Sequence, residues 1–179
     1  MTQSTSRPLV VLLCAVNVGG TGKLPMSDLR ALCETLGFTD VRTYIASGNV
    51  LFSTSLGPDD ARDALEDALR EYAGKPVGAV IRTPAELERV RHANPFLFAE
   101  PSRVGVTFLD SPPDDDTVER ATGITDEQLV LGRREIYVHY PQGMGRSRLR
   151  VPSGDRRATT RNINTVTKLV ALAANSASR

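Results

Sequence analysis

A glycine-rich segment, residues 17–23, joins a predicted strand to a predicted helix, which is where nucleotide-binding loops occur in proteins. A Walker motif would need glycine at Asn17 and a hydroxyl residue at Leu24. A dinucleotide fingerprint would need a third glycine at Pro25. The segment fits neither template, so on its own it predicts a flexible connection with positive backbone angles. Its sequence is Asn17-Val18-Gly19-Gly20-Thr21-Gly22-Lys23.

The segment from Arg146 to Arg161 concentrates positive charge that the net charge of +1 conceals, because its single acid is Asp155. Arginine side chains and the free amides of a helix start can together bind a phosphate or carboxylate. A solvated basic loop is the alternative interpretation. The arginines are Arg146, Arg148, Arg150, Arg156, Arg157 and Arg161.

Nucleic acid is the competing partner for this basic segment. No aromatic residue occurs between Pro141 and Arg179, so the segment offers no surface on which unpaired bases could stack. The predicted strands 50–52 and 103–108 also lack the basic, glycine and aromatic pattern of a base-stacking RNA-binding strand. The sequence therefore ranks phosphate-only contact with nucleic acid below a small anionic ligand.

Residues that commonly act in catalysis or metal binding have no suggestive spacing here. His92 and His139 predict neither a metal site nor a triad. Cys14 lies in an apolar strand and Cys33 on the inner face of a helix, where a thiol is protonated and inert. No metal, cofactor or catalytic residue is predicted.

The first half of the chain predicts a split βαβ fold. Apolar residues 9–16 form a strand, a helix follows and stops at Gly37, and residues 46–49 join two strands of a hairpin. A second helix over 58–72 and a strand over 77–81 complete the order. We predict an α+β protein whose first ferredoxin-like lobe, with an antiparallel sheet, covers residues 8–82.

The second half predicts a further ferredoxin-like α+β lobe over residues 83–174. A capping box over residues 83–86 begins a helix, and Asp114–Asp116 fit another helix start. The remaining elements are a strand at 103–109, a hairpin, a basic loop at 141–161 and a C-terminal helix at 162–174. Whether strand 77–81 also belongs to this lobe is left open.

Composition predicts a cytoplasmic protein. Hydrophobic residues make up 40% and charged residues 24% of the chain, as in globular proteins. Arg7 and the apolar run 9–16 superficially resemble a signal peptide, but eight apolar residues cannot span a membrane and no cleavage site follows. Two cysteines are too few for a disulfide framework. No membrane partner is expected.

Five stretches of the sequence resemble a bacterial protein family, the domain of unknown function 1697. The resemblance covers residues 9–173 and implies two ferredoxin-like lobes, with no established activity. Its glycine, arginine and polar loop positions predict binding more than packing. The stretches are Asn17-Val18-Gly19-Gly20, residues 42–50, Asn94-Pro95-Phe96, Gly145-Arg146-Ser147 and residues 159–166.

The resemblance also marks departures. The family usually has arginine and glycine at Cys14 and Ala15, lysine at Arg148 and tryptophan at Ile163. These departures indicate an altered or lost family ligand.

The sequence leaves three functions open. The first is a binding protein or enzyme for a small phosphorylated or carboxylated ligand in a cleft between the lobes, the second is non-specific nucleic-acid binding by the basic loop, and the third is an interaction module without a ligand. For the first, the predicted ligand-binding residues are Asn17, Gly19, Gly20, Lys23, Ser47, Gly48, Asn49, Arg146, Ser147, Arg161, Asn162, Asn164 and Lys168.

Overall fold

The strand β1, Arg7–Leu13, lies in the middle of the first sheet. A computed structural model describes residues 5–17 and 23–176 of the chain. β1 pairs antiparallel with β3, Asn49–Thr54, and with β4, Ala79–Arg82, while β2, Thr39–Tyr44, pairs with the outer side of β3. The sheet order is therefore β2-β3-β1-β4.

Two helices cover one face of this sheet. They are α1, Met26–Thr35, and α2, Pro58–Ala73. Leu9, Val11 and Leu13 alternate along β1 and share a buried core with Leu29 of α1 and Leu65 of α2. Because successive strand residues point to opposite faces, this alternation directs one side of β1 toward the helices. The β-α-β-β-α-β order predicted for this half is the observed order of its elements.

The second sheet repeats the strand order of the first. It consists of β5, Val104–Leu109, β6, Gln128–Leu131, β7, Glu135–His139, and β8, Ala158–Asn162, in the antiparallel order β6-β7-β5-β8. The residues of β8 were predicted to end the basic loop at 141–161, and that prediction was wrong. Its sequence Ala-Thr-Thr-Arg-Asn has no apolar run, so no hydrophobic pattern identifies it.

The membership of the fourth strand, left open above, is decided by the pairing. β4 pairs with β1 in the first sheet, and β8 pairs with β5 in the second. Each fourth strand leads into a helix, α3 at Pro84–His92 and α4 at Ile163–Ser176. The predicted capping box forms at α3, where the Thr83 amide donates to Glu86 Oε2 at 2.8 Å and the Glu86 amide donates to Thr83 Oγ1 at 3.2 Å.

The helix predicted at Asp114–Asp116 is not present, since residues 115–120 form turns. Two carboxylates of this segment accept hydrogen bonds from the Arg120 side chain, Asp114 at 2.9 Å and Asp116 at 3.0 Å. Pro112 and Pro113 precede the turns. The acidic residues therefore organise a turn by pairing with a nearby arginine.

A buried arginine occupies the corresponding position in each sheet. Arg82 of β4 lies opposite Val10 of β1, and Arg161 of β8 lies opposite Val106 of β5. The exposed fractions of the two arginines are 1% and 6%. The repeat therefore extends from strand order to individual positions.

The chain divides into two compact units, Met1–Glu86 with Leu169–Arg179, and Leu87–Lys168. The end of α4 thus belongs with the first unit, where Arg42 Nη2 donates to the Leu172 carbonyl at 2.6 Å. The chain is a mixed α+β protein with two four-stranded antiparallel sheets and four α-helices in its described part. None of the helices described is long and apolar enough to cross a membrane.

Candidate functional site

The end of β1 is attached to the β2–β3 hairpin by Asn17. Its side-chain amide donates to the carbonyls of Ala46 at 2.7 Å and Leu24 at 2.9 Å, and its Oδ1 accepts from the Leu24 amide at 2.7 Å. Asn17 adopts φ 55°, and Ala15 adopts φ 52°. Asparagine tolerates the left-handed region, but alanine is strained there. Glycine, which the family resemblance gives at position 15, would relieve that strain.

The hairpin residues Ser47, Gly48 and Asn49 pack against the same end of β1. Asn49 is fully buried, and its amide donates to the Tyr44 carbonyl at 2.9 Å and to Ser47 Oγ at 3.0 Å. Gly48 has φ 86°, and a Cβ there would lie 2.6 Å from Val16 Cγ2. Only glycine fits this position. The first strand end and the hairpin predicted as binding loops therefore do lie together, joined by their own hydrogen bonds.

A pocket of about 290 Å³ opens beside this strand end. Two cationic side chains, Lys23 and Lys75, lie at a wall that is otherwise mainly apolar. Tyr72 also lines the pocket, and its hydroxyl donates to Asp28 Oδ2 at 2.5 Å, a bond that raises the pKa of Tyr72. The apolar lining residues are Ala15, Val16, Leu24, Leu69, Ala73 and Val77.

Gly19 and Gly20, both predicted to contact a ligand, lie outside the described residues, as do Val18, Thr21 and Gly22. Lys23 is described and is exposed. The pocket is therefore defined by the residues on either side of this segment.

Arg161 of the predicted site is a buried residue of the second unit. Its Nη1 donates to Thr159 Oγ1 at 2.6 Å and to the Thr160 carbonyl at 3.0 Å. The strand register places its side chain on the same face of the sheet as Val106 and Tyr137. Such burial gives this arginine a structural role in its sheet.

The residues that follow Arg161 begin α4. Asn162 Oδ1 accepts the amide of Asn164 at 2.8 Å, and its Nδ2 donates to the Ser102 carbonyl at 2.9 Å. Asn162 is therefore the N-cap of the helix, the position at which asparagine is strongly preferred. Asn164 and Lys168 are exposed on α4.

The segment before β8 crosses the opposite face of the second sheet. Met144, Leu149 and Val151 pack against a core that includes Ile136 and Val138, and the register puts both of those residues on the face opposite Arg161. Arg146 follows Met144 and is exposed. The sheet therefore separates Arg146 from the Arg161 side chain, although the sequence grouped them in one ligand site.

Ser147 attaches this segment to the start of β6. Its hydroxyl donates to Glu127, and its Oγ accepts the Leu149 amide at 3.1 Å. The Glu127 carboxylate also accepts the Thr125 amide at 2.8 Å. Because the Ser147 hydroxyl and the backbone amides stabilise the charged form, they lower the pKa of Glu127 to about 2. No local pattern in the sequence marks Glu127, since its partner Ser147 is twenty residues away.

The lowered pKa of Glu127 predicts an acid-sensitive fold. The folded-state pKa of about 2 lies below the ordinary value of 4.5, so the carboxylate stabilises the fold fully above pH 4.5. This stabilisation is lost as the pH falls toward 2, and the loss is on the order of 3 kcal/mol. Denaturant unfolding of the wild type at several pH values between 2 and 6 measures it.

Two variants separate Glu127 from other carboxylates in this measurement. Glu127→Gln should be less stable than the wild type at pH 7 and should lose less stability between pH 4.5 and 2. Asp126→Asn, which changes an exposed neighbour, should retain the wild-type pH profile. Equal profiles for the wild type and Glu127→Gln would contradict the assignment.

Cys33 lies in the apolar core of the first unit, and His139 packs against aromatic rings in the second. Burial raises the pKa of the Cys33 thiol to about 12, so Cys33 is protonated at neutral pH. His139 lies against the rings of Phe96 and Phe98, at centroid distances of 5.7 and 5.6 Å. No cluster of histidine, cysteine and carboxylate residues suited to a metal ion occurs among the residues that the structure describes.

A protein-family model described as "Protein of unknown function (DUF1697)" matches residues 7–137. The chain belongs to this family. The DUF1697 match ends at Tyr137, whereas the resemblance noted in the sequence was extended to Ala173. Among the curated proteins, nothing matches the chain.

A solved structure resembles this DUF1697 chain over most of its length. It is the conserved bacterial protein SP0830 from Streptococcus pneumoniae, with 24% sequence identity and a TM-score of 0.76. The similarity covers 94% of this chain and 99% of that chain. At this identity the likeness establishes a shared fold only.

Proposed function

We propose that the first unit binds a small carboxylated or phosphorylated ligand in the pocket beside Lys23 and Lys75. The observation that carries the proposal is the combination of an apolar wall with two lysines in one concave site. Ligand pockets are typically apolar, with a few polar groups that fix orientation.

The pocket dimensions favour a compact ligand. A volume of about 290 Å³ corresponds to about ten water-sized groups. An apolar body would contact Val16, Leu24 and Val77, while its anionic group would remain near the lysines at the opening. This arrangement favours an amphipathic monoanion over a highly charged metabolite.

The pocket wall is held in position by the strand-end hydrogen bonds. Asn17 joins Leu24 to Ala46, and Gly48 contacts Val16. In this proposal, Asn17, Ser47, Gly48 and Asn49 position the ligand site without touching the ligand.

Thermal denaturation in the presence of a ligand panel tests the proposal. The panel comprises short aliphatic and aromatic carboxylates, sugar phosphates, and the amines or alcohols of matching size. We expect at least one anion to raise the midpoint of unfolding in a concentration-dependent way, while its neutral counterpart does not. The Lys23→Gln/Lys75→Gln double variant should weaken that binding about tenfold or more.

Lys168→Gln is a control that removes one lysine charge from an exposed position on α4, and it is compared with Lys23→Gln and Lys75→Gln as single variants. It should leave binding to the pocket unchanged. A panel in which no anion shifts the midpoint would contradict the proposal. If Lys168→Gln weakened anion binding equally, the anion would bind outside the pocket.

An interaction module without a ligand is the second candidate. The internal hydrogen bonds of Asn17 and Asn49 support it, because these predicted binding side chains already have protein partners. The ligand panel distinguishes the two candidates, since a module of this kind predicts no shift for any small anion.

The two lobes predicted at residues 8–82 and 83–174 are proposed to be ferredoxin-like. The same strand order in both sheets supports this proposal. A cytoplasmic location is proposed as well, because neither Cys14 nor Cys33 forms a disulfide in the described part of the chain.

A further inference from the structure

Three arginines occupy alternate positions of one segment in the second unit and are called the arginine row: Arg146, the last residue of a 3-10 turn over Met144–Arg146, and Arg148 and Arg150, which follow that turn. All three side chains are exposed, while Leu149 and Val151 on the alternate positions pack toward the core. The row therefore presents three exposed positive charges within five residues of the chain.

The backbone of the arginine row is firmly attached to the rest of its unit. The amide and carbonyl of Arg150 pair with Thr122 at 2.8 and 3.0 Å. Ser147 bonds to Glu127 between the first two arginines. These contacts fix which side chains point outward, so the exposure of the arginines follows from the register of an anchored segment.

The described part of the protein does not neutralise the charges of the row. In the described ranges 5–17 and 23–176, the guanidinium groups of the three arginines make no hydrogen bond or ion pair. Two later arginines of the same segment, in contrast, are paired with acids. Arg156 bonds to Asp114 at 2.6 Å, and Arg157 bonds to Asp110 at 3.2 Å. The second unit therefore pairs Arg156 and Arg157 with acids and leaves the three side chains of the arginine row facing solvent.

We propose that the arginine row binds the phosphate backbone of nucleic acid. Three neighbouring exposed charges suit a polyanion that offers several phosphates better than a compact small anion, and guanidinium groups bind phosphates through paired N–H donors. No aromatic residue occurs from Pro141 onward, so binding does not use base stacking and is independent of sequence. This function is separate from the lysine pocket and does not depend on it.

Fluorescence anisotropy with a labelled 20-base-pair duplex tests the proposal at several salt concentrations. The Arg146→Gln/Arg148→Gln/Arg150→Gln variant should lose about 0.9 from the log–log salt slope for each phosphate contact, or about 2.7 for three. At 50 mM salt its affinity should be at least tenfold weaker than that of the wild type. Two duplexes of unrelated sequence should bind the wild type equally.

The matched control removes three arginines that are paired with acids in the first unit. Arg30, Arg62 and Arg70 bond to Glu34, Asp59 and Asp67. Their triple glutamine variant makes the same change in net charge and should retain duplex binding. Equal loss in both variants would overturn the proposal, as would absence of wild-type binding at 50 mM salt or tighter binding to polyglutamate than to the duplex.

Conservative replacement guards against misfolding of the triple variant. Arg146→Lys/Arg148→Lys/Arg150→Lys preserves the charges and should keep most of the salt slope, while circular dichroism and the unfolding midpoint check the fold of each variant. If the lysine variant were folded but did not bind the duplex, attraction between the charges of the row and the phosphates would not explain binding, and the proposal would be overturned.

Discussion

Arg161→Ala should reduce the free energy of unfolding by about 3–5 kcal/mol. The side chain is only 6% exposed, and its removal leaves a space on the face of the sheet that it shares with Val106 and Tyr137. It also removes the donor to Thr159 Oγ1 and to the Thr160 carbonyl. Urea denaturation of wild type and variant at pH 7 measures the difference.

Two further variants make this experiment decisive. Arg148→Ala removes an exposed arginine from the same unit and should change stability by no more than about 0.5 kcal/mol. Arg161→Met retains much of the apolar volume and should recover part of the loss caused by alanine. If Arg161→Ala were as stable as Arg148→Ala, the buried structural role of Arg161 would be wrong.

Residue type alone did not distinguish the roles of the arginines between 146 and 161. Their concentration in one segment suggested one anion site, but strand β8 directs Arg161 inward and the preceding segment directs Arg148 outward. The difference depends on register in a sheet whose fourth strand has no hydrophobic pattern. A periodicity analysis cannot assign register to Ala-Thr-Thr-Arg-Asn.

The first half of the fold was more predictable because its signals are local. Leu9, Val11 and Leu13 lie in a continuous apolar strand, and Pro58 and Gly74 mark the two ends of α2. The second half lacks such local signals between β5 and β8, where turns and the segment with the arginine row take the place of helices. There Asp114 and Asp116 imitate a helix start but bond to Arg120.

The lysine pocket was only partly predictable. Lys23 and Asn17 belong to the glycine-rich segment, which the sequence marks as a candidate binding loop. Lys75 and Tyr72 line the pocket because the end of α2 lies near the end of β1, and no sequence pattern predicts this proximity. The Asn17 side chain, which was predicted to touch a ligand, bonds to Leu24 and Ala46. A polar loop residue can thus serve a site by supporting the backbone around it.

Gly123→Ala should reduce the free energy of unfolding by about 2–5 kcal/mol. Gly123 has φ 72°, a conformation that costs an ordinary residue about 1–2 kcal/mol. A Cβ at this position would also overlap the carbonyl oxygen of Arg148 and lie 2.8 Å from its carbonyl carbon. That overlap adds an overpacking cost of about 1–3 kcal/mol, because the backbone carbonyl cannot rotate away as a side chain would.

Gly145→Ala is the control for this effect, since a Cβ at position 145 meets nothing within 4 Å and its backbone is not left-handed. It should be nearly neutral in the same urea denaturation experiment. Because Thr122, next to Gly123, pairs with Arg150, relief of the overlap by backbone movement should expose the Thr122 and Arg150 amides to faster hydrogen exchange. If Gly123→Ala had the stability and the amide exchange rates of the wild type, the segment 148–150 would not be held against residues 122 and 123. The claim that this contact fixes the outward orientation of the arginine row would then be wrong.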